Sequence, residues 1–188
     1  MSEEKLTTNV LILELSTMIV AIALAFNSQS LNYYTISLPA IIDYIIVNVL
    51  VIWFWWRYIS DRFKYPIKTN NFPLYDVLLL IIISLLPEIL RTQDIFYLTG
   101  TLAALAFLWA LMLRRIIREY ANTIDQQSLV SLRHQINIRS SMGLLFLISF
   151  AASFISQIIG RLIFILIIFA IIYSVFIDRF SKSNKRSI

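Results

Sequence analysis

The sequence predicts an all-α, polytopic membrane protein with six transmembrane helices and both termini cytoplasmic. Three observations point there. The chain is 59% hydrophobic and 14% charged, whereas soluble domains carry nearer a quarter charged residues. With 3 glycines and 4 prolines among 188 residues, its apolar stretches are long and seldom interrupted. These stretches fall into six runs, each close to the roughly 20 residues that a helix needs to cross a bilayer.

In order, the runs are 9–26, 38–56, 73–90, 95–113, 141–159 and 162–177. Several hold β-branched clusters such as Ile81-Ile82-Ile83. In hydrocarbon such a run must satisfy its own backbone, and a helix does this. The first run follows MSEEKLTTN, whose Glu3 and Glu4 make a poor signal-peptide start, so the run is expected to be a span of the mature protein. Its boundary is marked by Tyr33 and Tyr34, and that of the second run by Trp53, Trp55, Trp56 and Tyr58, since amphipathic rings collect at membrane surfaces. Segment 114–139 is polar, but Ile116, Ile117, Ile124, Leu129, Leu132 and Ile136 keep a helical period. It predicts an extension of the fourth helix, a turn near Asn122, and a second helix leading into the fifth span. This linker is expected to lie in the cytoplasm along the membrane surface, the alternative being a regulatory or assembly surface.

Orientation follows from Lys and Arg. Arg57, Arg62, Lys64 and Lys68 follow the second run. Arg114, Arg115, Arg118, Arg133 and Arg139 lie between the fourth and fifth, and Arg179, Lys182, Lys185 and Arg186 follow the sixth. The remaining connections hold Arg91, Arg161 or no basic residue at all. This bias places both ends and the two basic loops in the cytoplasm. It also accounts for the net charge of +5 without nucleic acid as a partner. The expected location is the cell membrane, with several passes, and the whole chain, 1–188, is one transmembrane domain.

Little catalytic chemistry can be assembled. The chain has 0 cysteines and 1 histidine, His134, in a polar segment. Disulfides and thiolate metal sites are thereby excluded, and no metal site, cofactor, catalytic set or Gly-rich phosphate loop is expected. Ionisable residues beside the spans are functional candidates by default. At the inner boundary, Arg57 is placed to pair with Glu14 or Asp76. At the outer boundary, Asp43 and Glu88 are placed to meet Arg91 and Arg161. Boundary ion pairs that set depth and helix contacts account for all of them. In the fifth run Ser149, Ser153, Ser156 and Gly160 recur at helical spacing, a stripe that lets backbones approach.

The first run has a polar start, Glu14-Leu15-Ser16-Thr17, and a small-residue apolar body. Met18, Ile22, Ala25 and Gln29 share one face at i, i+4, i+7 and i+11. Such a face can line a pore or meet lipid.

The stretch ELSTMIVAIALA resembles the first-helix signature of the endolysosomal potassium leak channel family, whose pattern is Phe-Ser-Asp followed after a short apolar stretch by Ala-Ile-Ala-Ile. Leu15, Ser16 and Thr17 take the first three positions, and Ala21-Ile22-Ala23-Leu24 the last four. The Trp-rich segment before Arg57, Leu86-Pro87 near the end of the third run, and Trp109 late in the fourth run with Arg114-Arg115 just after it extend the likeness over nearly the whole chain. The single six-helix unit is similar to the prokaryotic branch. That resemblance implies a homotetrameric, potassium-preferring cation channel. Ile22 would form the pore constriction, with Met18, Ala25 and Gln29 lining the pore and potassium as the permeant ion. The family holds its first helix on its second through polar groups. Here Thr17 stands for the Asp, Leu15 for the Phe and Leu11 for an upstream Arg, and the inner His residues are missing. Ser16, Thr17, Asn48, Trp53 and Trp56 are the residues expected to form the network in their place. The competing expectations are a non-conducting membrane scaffold of the same fold and a secondary transporter. The latter would want polar groups or broken helices at mid-membrane, where Asn48 is the one clear candidate.

Overall fold

A computed structural model describes the backbone of residues 3–30, 38–67, 74–92 and 94–184, and the side chains of 10–28, 41, 44–67, 74–92 and 94–170. The described chain is all-helical. It runs α1 (Glu3–Ser30), α2 (Leu38–Lys64), α3 (Leu74–Arg91), α4 (Ile95–Glu119), α5 (Gln126–Ile155) and α6 (Gln157–Asn184). Among the described residues, three stretches are long and apolar enough to cross a membrane: Val10–Ser28, Ile95–Glu119 and Gln126–Ile155. Gln157–Ala170 is a shorter apolar helix.

The helix ends follow from local chemistry. Asp94 caps α4 by accepting the Phe96 N–H at 2.9 Å, and Asp125 caps α5 by accepting the Ser128 N–H at 2.7 Å. The second cap holds the Asp125 carboxyl below the usual carboxylate range, because the Ser128 backbone bond favours the ionised form. Between α4 and α5 the chain turns through residues 120–125. Pro87 lies in the last turn of α3, where its missing N–H costs one helical bond. The fifth apolar run is interrupted earlier than its composition suggests. Ser156 is extended (φ −160°, ψ 128°), so α6 begins at Gln157 and not at Leu162.

α4 and α5 make the most extensive helix contact and run antiparallel. Phe96 stacks on Phe150 with ring centroids 4.4 Å apart, Gly143 lies under the Phe107 ring, and Arg139 lies over Trp109 at 4.2 Å. At the N-cap of α4, the Gln157 amide donates to Asp94 at 3.1 Å and joins the α5–α6 corner to the start of α4. The helices group as two triplets: α1, α2 and α3 pack mutually, and α5 and α6 pack on α4, with α3 against α4 joining the two. The main core cluster includes Val51, Leu79, Leu80, Ile83, Leu113 and Ile116, all but excluded from solvent. A smaller cluster of Ala103, Phe146 and Ile167 ties α4, α5 and α6.

Candidate functional site

α1 has two opposite faces. Ser16, Val20, Ala23 and Asn27, again at i, i+4, i+7 and i+11, are buried against the rest of the protein. Met18, Ile22 and Ala25 are exposed, Met18 at 55% and Ile22 at 46%. The two stripes are offset by two residues, about 200° around the helix axis. The side chain of Gln29 lies outside the described residues.

The polar residues expected to bind α1 to α2 are arranged differently. Ser16 Oγ and Thr17 Oγ1 both donate to the carbonyl of Leu13, at 2.7 and 2.9 Å, within their own helix. A hydroxyl in an apolar helix finds a partner most cheaply one turn back. Trp53 and Trp56 turn outward, 58% and 63% exposed. Phe54 and Trp55 turn inward instead, and the Trp55 indole N–H is buried without a partner. The side-chain link between the helices is Asn27 Nδ2 donating to Asn48 Oδ1 at 2.9 Å.

The second polar centre lies at the far end of α2. Arg62 grips Asp76, at the start of α3, through two parallel bonds: Nε to Oδ1 at 2.5 Å and an Nη to Oδ2 at 2.7 Å. The Tyr58 hydroxyl donates to the same carboxylate at 2.9 Å. Both members of the pair are buried, with side chains 5% and 1% exposed. Burial, and then the neighbouring Asp76 carboxylate, push the Tyr58 phenol well above its usual range, so it stays a donor. The expected Arg57–Asp76 pair is therefore replaced. Asp76 faces Arg62, five residues further along α2, while Arg57 donates to Gln135 of α5 at 3.3 Å. Glu14, its other expected partner, is exposed on α1.

Next to this clasp, Asp61 accepts the Trp109 indole N–H at 3.0 Å and faces Arg139 at 3.6 Å. Arg139 in turn covers the Trp109 ring, a cation–π contact. The α2 and α4 backbones stay apart, so these long side chains bridge the two triplets. Tyr120 adds another bridge by donating to the Pro66 carbonyl at 2.6 Å. Asp61→Leu is expected to cost about 2 kcal/mol in denaturant unfolding of the detergent-solubilised protein, because it strands two donors. Trp109→Phe, which strands only an acceptor that Arg139 still serves, is expected to cost about 1 kcal/mol.

At the opposite end Glu88 accepts from Arg91 at 2.6 Å, one turn apart on α3 and exposed. Such a pair is worth at most about 1 kcal/mol. Arg161 is exposed on the first turns of α6, and Asp43 has its side chain outside the described residues. His134 is exposed on α5. Among the described residues no group of three or more His, Cys, Asp or Glu could hold a metal ion.

No protein-family model, curated protein or solved structure matches the chain.

The residues that sequence reasoning missed are Tyr58, Asp61, Arg62, Trp109 and Arg139 as one assembly. Each carries a signal in hindsight, since polar residues at the ends of apolar runs are costly unless paired. Their pairing is set by which face of α2 turns towards α3 and which towards α4, and that depends on the packing of all three helices.

Proposed function

We propose that the chain crosses the bilayer six times with both termini in the cytoplasm and assembles as a homotetrameric, potassium-preferring leak channel with α1 at the axis. The observation that carries this reading is the exposed Met18, Ile22 and Ala25 stripe, which lies opposite the stripe that packs inside the protomer. α1 thus keeps an apolar face, which also takes in Leu11, Leu15 and Phe26, available to three other copies while its opposite face is anchored. The distribution of Lys and Arg supports the orientation, and the span-one resemblance supports the ion.

Four Ile22 side chains at one level would close the path to about the width of an ion, and a hydrophobic constriction gates by dewetting. A cation crossing it sheds part of its hydration shell, and potassium sheds water more readily than sodium. Ser28, exposed at the polar end of α1, would supply an oxygen at the outer mouth. Permeation needs no catalytic residue and no cofactor.

The test is potassium flux in proteoliposomes. Ile22→Asn is expected to raise flux several-fold by keeping the constriction wet, and Ile22→Ala to raise it by widening the gap. Unchanged flux in both variants removes Ile22 from the pore. The second reading, a non-conducting scaffold of the same fold, is favoured by Ser16 and Thr17 bonding within α1, where the family uses a polar network between helices. It expects no potassium flux in the wild type or either variant.

A further inference from the structure

A cleft of about 400 Å³ lies between the two helix triplets at the end opposite the Arg62–Asp76 clasp. Its walls are Ile46 and Val47 of α2 and Phe164 and Ile165 of α6, and its floor is Leu90 and Ile95 where α3 passes into α4. Arg161 of α6 also lines it and is exposed at the rim. The cleft exists because, among the described residues, α2 and α6 do not pack on each other. At the clasp end, Asp61, Trp109, Arg139 and Tyr120 bridge the triplets, whereas the residues lining this end are apolar save for Arg161. Ile46 and Ile165 are 49% and 47% exposed, so the cleft opens sideways along the helices.

We propose that this cleft binds one anionic phospholipid, with an acyl chain between α2 and α6 and the phosphate on Arg161. The chemistry of the site selects this occupant. An apolar slot open to its flank accepts a chain from the bilayer without a desolvation cost, and one cation at the rim complements one phosphate. A guanidinium carries five N–H donors in a fork that matches phosphate oxygens, more than one partner uses. Volumes of roughly 300–1,000 Å³ are those of ordinary small-molecule sites. The inference rests on bilayer residence and not on the pore.

The experiment is unfolding of the detergent-solubilised full-length protein titrated with phosphatidylglycerol, phosphatidylcholine or glycerol phosphate. Phosphatidylglycerol is expected to raise the midpoint more than phosphatidylcholine, and glycerol phosphate not at all. Arg161→Gln is expected to weaken phosphatidylglycerol about tenfold and leave phosphatidylcholine unchanged, as loss of a charge-assisted contact requires. Val47→Phe, which fills the slot from the other wall, is expected to weaken both lipids, and it carries the test should Arg161→Gln not fold. Arg114→Gln, at a basic residue on the far part of α4, is expected to change neither. Equal protection by glycerol phosphate, an unaltered lipid preference in Arg161→Gln, or loss of the effect in Arg114→Gln would each overturn the proposal.

Discussion

Asp76→Ala is expected to destabilise the protein by about 3–5 kcal/mol, the cost of leaving a buried charge without its partner. The Arg62 guanidinium would lose both of its bonds to the carboxylate while its side chain remains 5% exposed. Tyr58, fully buried, would lose its acceptor too. The magnitude comes mostly from the stranded cation and only in small part from the attraction between the pair. The double variant Arg62→Met with Asp76→Leu is therefore expected to recover most of the loss, because similar apolar volume replaces both charges. Denaturant unfolding in detergent measures both. A double variant as unstable as Asp76→Ala alone would mean that the pair positions α2 on α3 in a way apolar contact cannot.

The second large effect is expected at the α5–α6 corner. A Cβ on Gly160 would stand 2.8 Å from the Ser153 Cβ and 3.0 Å from its Cα. The obstacle is backbone, which cannot swing aside. The Ser149 hydroxyl donates to the Gly160 carbonyl at 2.9 Å, a bond that exists only because the helices approach this closely. Gly160→Ala is expected to cost about 1–3 kcal/mol through overpacking, and Gly160→Leu about 3 kcal/mol or more. Gly143→Ala is the contrast. There the Cβ meets the Phe107 ring at 3.0 Å, and a ring can turn. The gain in helix propensity of about 1 kcal/mol offsets the contact, so the variant is expected to be near neutral. Thermal unfolding of the three variants side by side tests the contrast, and equal losses at the two glycines would refute it.

These two sites also show where sequence reasoning reaches. The small residues Ser149, Ser153 and Gly160 are visible as a close-contact signal, but not as one helical stripe: the break at Ser156 puts Gly160 on α6, where it packs against Ser149 and Ser153 of α5. The extended break at Ser156 is not visible, because a single non-helical residue inside an apolar run alters neither composition nor period. At the clasp, the charged residues are visible beside their apolar runs, yet Asp76 takes Arg62 in place of Arg57. Five residues separate those arginines along α2, well over a turn, so the choice rests on the rotation of α2 about its axis. The tryptophans give the same lesson. Four neighbours, Trp53, Phe54, Trp55 and Trp56, are all large aromatics, and the two inner ones are selected only by the surface they meet.

The amino-acid order settles that the chain is helical and apolar, because long runs poor in charge, glycine and proline leave the backbone no cheaper way to satisfy itself away from water. It also settles that α1 presents two distinct stripes, since that follows from a period of about 3.6 residues. Which stripe turns inward, which arginine meets Asp76, and where a cleft stays open between α2 and α6 are outcomes of assembly. Helices of nearly uniform hydrophobicity can rotate about their axes at little cost until side-chain shape and a few buried polar bonds select one arrangement.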